Sequence, residues 1–230
     1  MNKIPLYLML GIVLVAVNGS HISEGRVWKP TPILFGGILD WQSEKFFLEN
    51  ISHDPQGQNL NHDYYEGTRN LDIKRLIFLV DRAHTNTVVP ALRKATFAPP
   101  TLREGYYQQA LRDLNYALER LVNHPRALLL MESVAKLVKR PNLPRIYYQR
   151  AVSMYPNRAL PQAQYGKYLI DNEETADGIQ RLKIALKIDS KLKVGHAWLS
   201  WAYKKNGKQD LADQFAQQAK ALGYRGKLPN

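Results

Sequence analysis

The chain has 230 residues and a formal net charge of +12, with an isoelectric point near 9.8. That length builds one or two domains around a sizeable core, and the charge favours anionic partners: acidic protein segments, anionic glycans, phospholipid headgroups or nucleic acid. Cysteine is absent, which excludes disulfides, a thiolate nucleophile, thiolate metal sites and a lipid-anchor cysteine.

Residues 1–19 read as a leader. Met1-Asn2-Lys3 is a short positive start, and Ile4 to Val17 is an almost unbroken apolar run. A spanning helix wants about 20 apolar residues, and this run is shorter, as in the h-region of a secretory signal with cleavage after Gly19. The alternatives are an uncleaved N-terminal anchor, which would keep the protein near a membrane, and a buried core segment. Signal or anchor, the rest of the chain is expected outside the cytoplasm, periplasmic or secreted. Nucleic acid then drops out as a partner despite the charge.

Residues 20–70 form an irregular arm, broken by Pro30, Pro32, Gly36, Gly37, Pro55 and Gly57. Trp41 to Asn50 is its one candidate helix. Trp28, Phe35, Trp41, Phe46 and Phe47 are apolar payload, which is expected to pack over a neighbouring core or a partner. Asn50-Ile51-Ser52 fits a glycosylation acceptor, relevant only to a eukaryotic secretory route.

Residues 71–124 hold the N-terminal helices. Leu71, Leu76, Ile77, Leu79 and Val80 give an apolar stripe that predicts a helix over Leu71 to His84, capped by Asn70. Pro90 is expected to interrupt it, leaving one or two turns over Ala91 to Phe97, and Pro99-Pro100 to stop any continuation. Thr101 with Glu104 three residues on has the capping-box arrangement, and Tyr107, Ala110, Leu111, Leu114, Ala117, Leu118 and Leu121 keep one helical face.

Residues 125–223 read as three helical pairs, followed by a short basic tail, 224–230. The pairs are Arg126–Val138 with Leu143–Tyr155, Ala159–Ile170 with Thr175–Ile188, and Lys193–Lys205 with Gln209–Leu222. They superimpose at a spacing of 34 residues. Ala151, Ala185 and Ala219 share one column, Gly166 and Ser200 another, Leu169 and Tyr203 a third, and Gly178 and Ala212 a fourth. Small residues recurring among larger apolar ones suggest helices that approach closely. Asn206-Gly207 and Gly223 close two helices in left-handed geometry.

These columns and their period resemble the tetratricopeptide repeat (TPR) family. The family's early tryptophan position is held here by Leu128, Gln162 and His196, and Glu132 and Ala135 stand where glycine and tyrosine are usual. The resemblance implies an all-α fold, a short TPR-like α-solenoid whose helical hairpins wind into a right-handed superhelix, with residues 101–124 a degenerate leading unit. In that register Gly105 falls at an inter-helix turn. The last helix, with Leu211, Phe215 and Leu222, is expected to need cover from the tail, the arm or another protein.

The resemblance also implies a concave groove lined by the first helix of each pair. Its positions fall on Arg126, Leu129, Ser133, Lys136 and Leu137, then Leu160, Ala163, Lys167, Ile170 and Asp171, then Val194, Ala197, Trp201, Lys204 and Lys205. Such a surface is basic over an apolar floor, with one large aromatic for which Trp198 competes as the buried member. It suits an extended peptide with acidic side chains, or an anionic polymer. The asparagines of the family's carboxylate clamp are missing, so a chaperone-tail clamp is not supported.

Catalytic signals are weak. No HExxH, EF-hand, P-loop, GxGxxG or GxSxG pattern occurs. His53-Asp54 and His62-Asp63 in the arm could bind a metal in principle, but a loop histidine beside an aspartate is ordinarily solvated. The chain is expected to be no enzyme and to need no cofactor. The sequence thus predicts an exported scaffold or adaptor in an envelope assembly, with an accessory protein binding an anionic glycan or cell-wall polymer as the alternative.

Overall fold

A computed structural model describes residues 61–228. The leader, the Trp41–Asn50 segment and His53-Asp54 lie outside the described residues. The described chain is helical: a short 3-10 turn (Tyr64–Thr68), then α1 (Leu71–Val80), a π turn (Asp81–Thr85), α2 (Asn86–Phe97), α3 (Pro100–Arg120), α4 (Pro125–Leu137), α5 (Pro144–Met154), α6 (Ala159–Asp171), α7 (Thr175–Ile188), α8 (Lys193–Lys205) and α9 (Gln209–Ala221). Among these residues no helix is long and apolar enough to cross a membrane.

Asn70 caps α1 by accepting the amides of Asp72 and Ile73. The expected interruption at Pro90 does not occur. α1, the π turn and α2 form one continuous rod with Pro90 inside it. The wide turn lies just before the proline, where the Asn86 amide reaches back to the Asp81 carbonyl. α3 packs along α2. Arg103 Nε and Nη2, each at 3.1 Å, donate to the carbonyls of Ala95 and Ala98 at the end of the rod.

The capping box expected at Thr101 does not form. α3 starts one residue earlier, with Pro100 at its first position and no side-chain cap. Proline is pre-set for that place, and the Pro99 carbonyl accepts the amides of Leu102 and Arg103. Gly105 is likewise no turn. It lies inside α3, and nothing approaches within 4 Å of where its Cβ would be. The first unit turns instead at Ala98-Pro99, so its turn departs from the period, while Ala117, 34 residues before Ala151, keeps the buried alanine column.

From α4 onward the period has a physical basis. Ala151, Ala185 and Ala219 are fully buried. A Cβ on Gly166 would stand 2.8 Å from the Gly178 carbonyl, and one on Gly178 would stand 2.6 Å from the Gly166 carbonyl, so the α6–α7 hairpin closes backbone on backbone. Each first helix ends in the same Schellman turn: Arg140 donates to Ala135, Glu174 to Leu169 and Lys208 to Tyr203. One core gathers α1 through α6, with Tyr148, Tyr165 and Tyr168 clustered in it, and a second gathers α6 through α9.

The last helix covers itself. Leu211 and Phe215 are half-buried against α8, with the Phe215 ring 5.5 Å from that of Tyr203. Asp213, Gln214, Gln217 and Lys220 form the exposed side of α9. The expectation that this end needs outside cover is therefore corrected: a polar outer face is what a terminal solenoid helix requires.

At the other end, residues 61–63 lie alongside the close of α3. His62 pairs in parallel with Leu121, and the Asn61 and His62 amides donate to Glu119 and Arg120. Asp63 is buried there. It accepts from Asn123 Nδ2 at 2.7 Å and Arg158 Nε at 2.6 Å, and its neighbour Tyr64 donates from its amide to Asn123 Oδ1. The His62-Asp63 pair is thus a structural clasp rather than a solvated loop.

Candidate functional site

α4, α6 and α8 are the first helices of successive hairpins, and positions 34 apart on them form rows. One row is Ser133, Lys167 and Trp201; the next is Leu137, Asp171 and Lys205. All six are exposed or half-buried. Trp201 is 41% exposed and Leu137 50%, whereas Trp198 packs half-buried on the second core.

The rows beside these do not stay on the surface. Leu129 is 39% exposed, but Ala163 and Ala197 in its row are buried. Lys136 is exposed and Lys204 half-buried, yet Ile170 between them is fully buried. Ile170 leaves the groove for a simple reason. Gly178 has no side chain, and Ile170 fills that place, so a Cβ on Gly178 would meet Ile170 Cγ1 at 2.5 Å. Arg126 is exposed, and Leu160 and Val194 are half-buried.

The cations on this face are held in place by the fold. Lys167 Nζ lies 2.6 Å from Asp171 Oδ2, and Lys136 Nζ lies 3.9 Å from the same oxygen. Lys205 Nζ donates to the Ile170 carbonyl at 2.9 Å and stands 5.5 Å from the centre of the Trp201 ring. Arg126 donates to Asn86 on α2, and Ser133 donates to the Leu129 carbonyl. The face is basic, with Asp171 gathering two of the lysines, and its apolar parts are Leu129, Leu137 and Trp201.

Beneath the first hairpin lies a group that sequence reasoning treated only as a departure. Glu132 shares a column with Gly166 and Ser200. It is buried, and the Tyr148 hydroxyl donates to it. Burial pushes its carboxyl up, against the opposing pull of Tyr148 and the nearby lysines. Tyr148 shares the column of Leu182, so the tyrosine–glutamate pair does across α4–α5 what the Gly166–Leu182 contact does across α6–α7. The signal available was a long acidic residue in a column of small ones.

A second buried network links the arm to the repeats. Tyr147 donates to Asn115 Oδ1 at 2.9 Å, Asn115 donates to Glu119 Oε1 at 3.1 Å, and Arg150 donates to Asn61 Oδ1. Burial pushes the Glu119 carboxyl up to about 7, outweighing the attraction of Arg150 and Arg120 and the hydrogen bond from Asn115. Two His–Asp pairs brace the π turn, His84 with Asp113 at 2.9 Å and His124 with Asp81 at 3.0 Å. Among the described residues no group of three or more His, Cys, Asp or Glu is placed to hold a metal.

No family model matches the chain, and no curated protein matches it. Among solved structures, residues 41 to the end of MamA from Desulfovibrio magneticus RS-1 are 19% identical, covering 59% of this chain and 75% of that one, with a TM-score of 0.42. A crystal structure of MamA is 17% identical, covering 65% and 86%, with a TM-score of 0.42. MamA AMB-1 is 14% identical, covering 79% and 92%, with a TM-score of 0.40. Neither identity nor overlap is high enough to carry a partner or a role across. The helical-hairpin architecture rests on the packing described above.

Proposed function

We propose that the protein is an exported scaffold or adaptor whose α4–α6–α8 face holds an extended, acidic segment of a protein partner. The observation that carries this is the aligned row of Ser133, Lys167 and Trp201 beside Leu137, Asp171 and Lys205. It puts an exposed indole and aliphatic area among ordered cations. Exposed tryptophan on a basic surface supplies contact area while the lysines supply attraction and orientation. The apolar leader supports an extracytoplasmic location, in the periplasm or beyond, and an uncleaved leader would hold the face near a membrane.

The test is anisotropy titration of a fluorescent peptide of alternating glutamate and leucine. Charge reversal at Lys136, Lys167 and Lys204 together is expected to weaken capture at least tenfold, as is Trp201→Ala, with thermal unfolding followed in parallel. Unchanged capture by a folded triple variant would overturn the proposal. Tighter binding to an acidic polysaccharide, lost steeply with salt and indifferent to Trp201→Ala, would point instead to an anionic-glycan accessory role.

A further inference from the structure

The two ends of the array differ. The C-terminal end presents Asp213, Gln214, Gln217 and Lys220. At the N-terminal end the α1–α2 rod carries apolar side chains on its outside. Of the ten large apolar side chains that stand exposed among the described residues, six lie between Leu71 and Leu102. Leu71, Arg75, Phe78 and Arg82 follow one another in steps of four, three and four residues, and so do Asn86, Pro90, Arg93 and Phe97. Each run therefore keeps one side of its helix, and every member is exposed. Leu71, Phe78 and Phe97 are 70%, 61% and 84% exposed. Beyond Phe97 the chain turns through Pro99 and Pro100, both exposed, to Leu102 at 59%. Arg103, bonded to the Ala95 and Ala98 carbonyls, holds this corner in shape. Asp72 is the one exposed carboxylate on the rod, with Arg75 3.4 Å away, while Asp81 is bonded to His124.

We infer that this strip and the Phe97–Leu102 corner dock on the surface of a bilayer that carries anionic phospholipid. Charge selects the occupant. Lys74, Arg75, Arg82, Arg93 and Lys94 are exposed on the rod against Asp72 alone, so the strip suits a surface of negative potential. A second copy meeting it face to face would set like charges together. Shape selects a bilayer over an acidic protein segment. Arg82, Asn86, Pro90 and Lys94 edge a groove of about 370 Å³ between α2 and α3. Leu71, Phe78 and Phe97 stand outside that groove, along the open side of a rod that runs about 40 Å from Leu71 to Phe97. A flat, deformable surface meets such a side along its whole length, whereas a peptide finds no walls there. The side-chain types complete the match. Phenylalanine and leucine tips enter the boundary between headgroups and acyl chains, while arginine and lysine stems lie along it and carry their heads to the phosphates. Among the described residues no helix is long and apolar enough to cross a membrane, so the contact lies in the plane of the interface. The strip shares no residue with the α4–α6–α8 face, and the two bindings are separately testable.

The absence of cysteine permits a direct test in the full chain. Thr101→Cys at the corner and Gln217→Cys on α9 are each labelled with an environment-sensitive dye. The proteins are mixed with vesicles of phosphatidylcholine, with or without phosphatidylglycerol, some of them carrying nitroxide-labelled lipid. The dye at Thr101 is expected to shift to the blue and to be quenched by the nitroxide only when phosphatidylglycerol is present, and to lose this response as salt is raised. The dye at Gln217 is expected to stay unchanged. Reversal of Arg75, Arg82 and Arg93 to glutamate is expected to weaken the response at least tenfold, and so is Phe78→Ser combined with Phe97→Ser. These side chains are exposed, so thermal unfolding should stay near that of the parent. Vesicle binding that leaves the Thr101 dye unquenched would place the contact elsewhere on the chain and overturn the proposal, as would equal quenching at both positions. A blue shift that grows with protein concentration in the absence of vesicles would make the occupant a second copy. A shift produced by a peptide of alternating glutamate and leucine, and not by vesicles, would make it an acidic protein segment.

Discussion

Lys139 and Glu173 occupy the same left-handed backbone conformation 34 residues apart, at φ 57° and 70°, and Gly207 repeats it at 70°. Each sits at the turn between the two helices of its hairpin. A side chain in this region costs about 1–2 kcal/mol, against roughly 0.5–1 kcal/mol of extra chain entropy lost by a glycine. Glu173→Gly and Lys139→Gly are therefore expected to stabilise the protein, each by about 0.5–1 kcal/mol. Gly207→Ala is expected to destabilise it by a similar amount. Urea unfolding midpoints decide the matter, and a loss of stability in both glycine variants would show that these turns are held by something other than backbone conformation.

The glycines of the array separate into two kinds. Gly178 has the Gly166 carbonyl 2.6 Å from where a Cβ would be, whereas Gly105 has nothing within 4 Å. Gly178→Ala must open the α6–α7 hairpin and is expected to cost about 2–3 kcal/mol. Gly105→Ala places a better helix former inside α3 and is expected to gain about 0.5–1 kcal/mol. Thermal unfolding of the two single variants should move in opposite directions.

How far the sequence revealed these features depended on which contacts repeat. The alanine column recurs because each hairpin buries the same position of its second helix, so it left a period in the chain, whereas the Gly166–Gly178 approach belongs to α6–α7. The left-handed turns recur too, but only Gly207 advertises one; Lys139 and Glu173 conceal theirs behind ordinary residues. The first unit escaped because its solution is singular. A π turn precedes Pro90, so the proline reads as a break although the rod continues through it. The groove was legible as rows, yet Ile170 was not legible as buried. Its burial depends on the missing side chain of Gly178, eight residues away on another helix. Asp63 and Arg158 meet through a clasp 95 residues long in sequence, which no local pattern encodes.

Glu119 links stability to pH. Its carboxyl is raised to about 7 in the folded protein from an ordinary value near 4.5. The folded state therefore binds more protons than the unfolded state between these values. Stability is expected to fall as pH rises from about 4.5 to about 7, by on the order of 3 kcal/mol, and this contribution changes no further above that range. Glu132 is shifted in the same direction by its burial and adds to the effect. Glu119→Gln keeps an acceptor for Asn115 without a charge to desolvate, so it should flatten much of the slope. Unfolding free energies measured from pH 4 to pH 8 test this, and a Glu119→Gln profile as steep as that of the parent would assign the dependence elsewhere.

The clasp at Asp63 fixes where the arm meets the repeats. Its buried carboxylate satisfies Asn123, Arg158 and the Tyr65 amide, and Asn61 adds contacts to Tyr155 and Arg150. Asp63→Ala leaves a buried amide donor and a half-exposed guanidinium without their acceptor. The partial exposure of Arg158, at 39%, lets water take over part of that role, so the expected cost is about 2 kcal/mol rather than the larger penalty of a wholly buried pair. The loss should also be local. Hydrogen exchange is expected to accelerate at the amides of Asn61, His62 and Tyr64, which donate to Glu119, Arg120 and Asn123, while amides inside α8 and α9 keep their protection. Asp63→Asn retains one acceptor and should recover part of the protection. Uniform acceleration across all the helices would instead mean that the clasp supports the whole array rather than the junction between arm and solenoid.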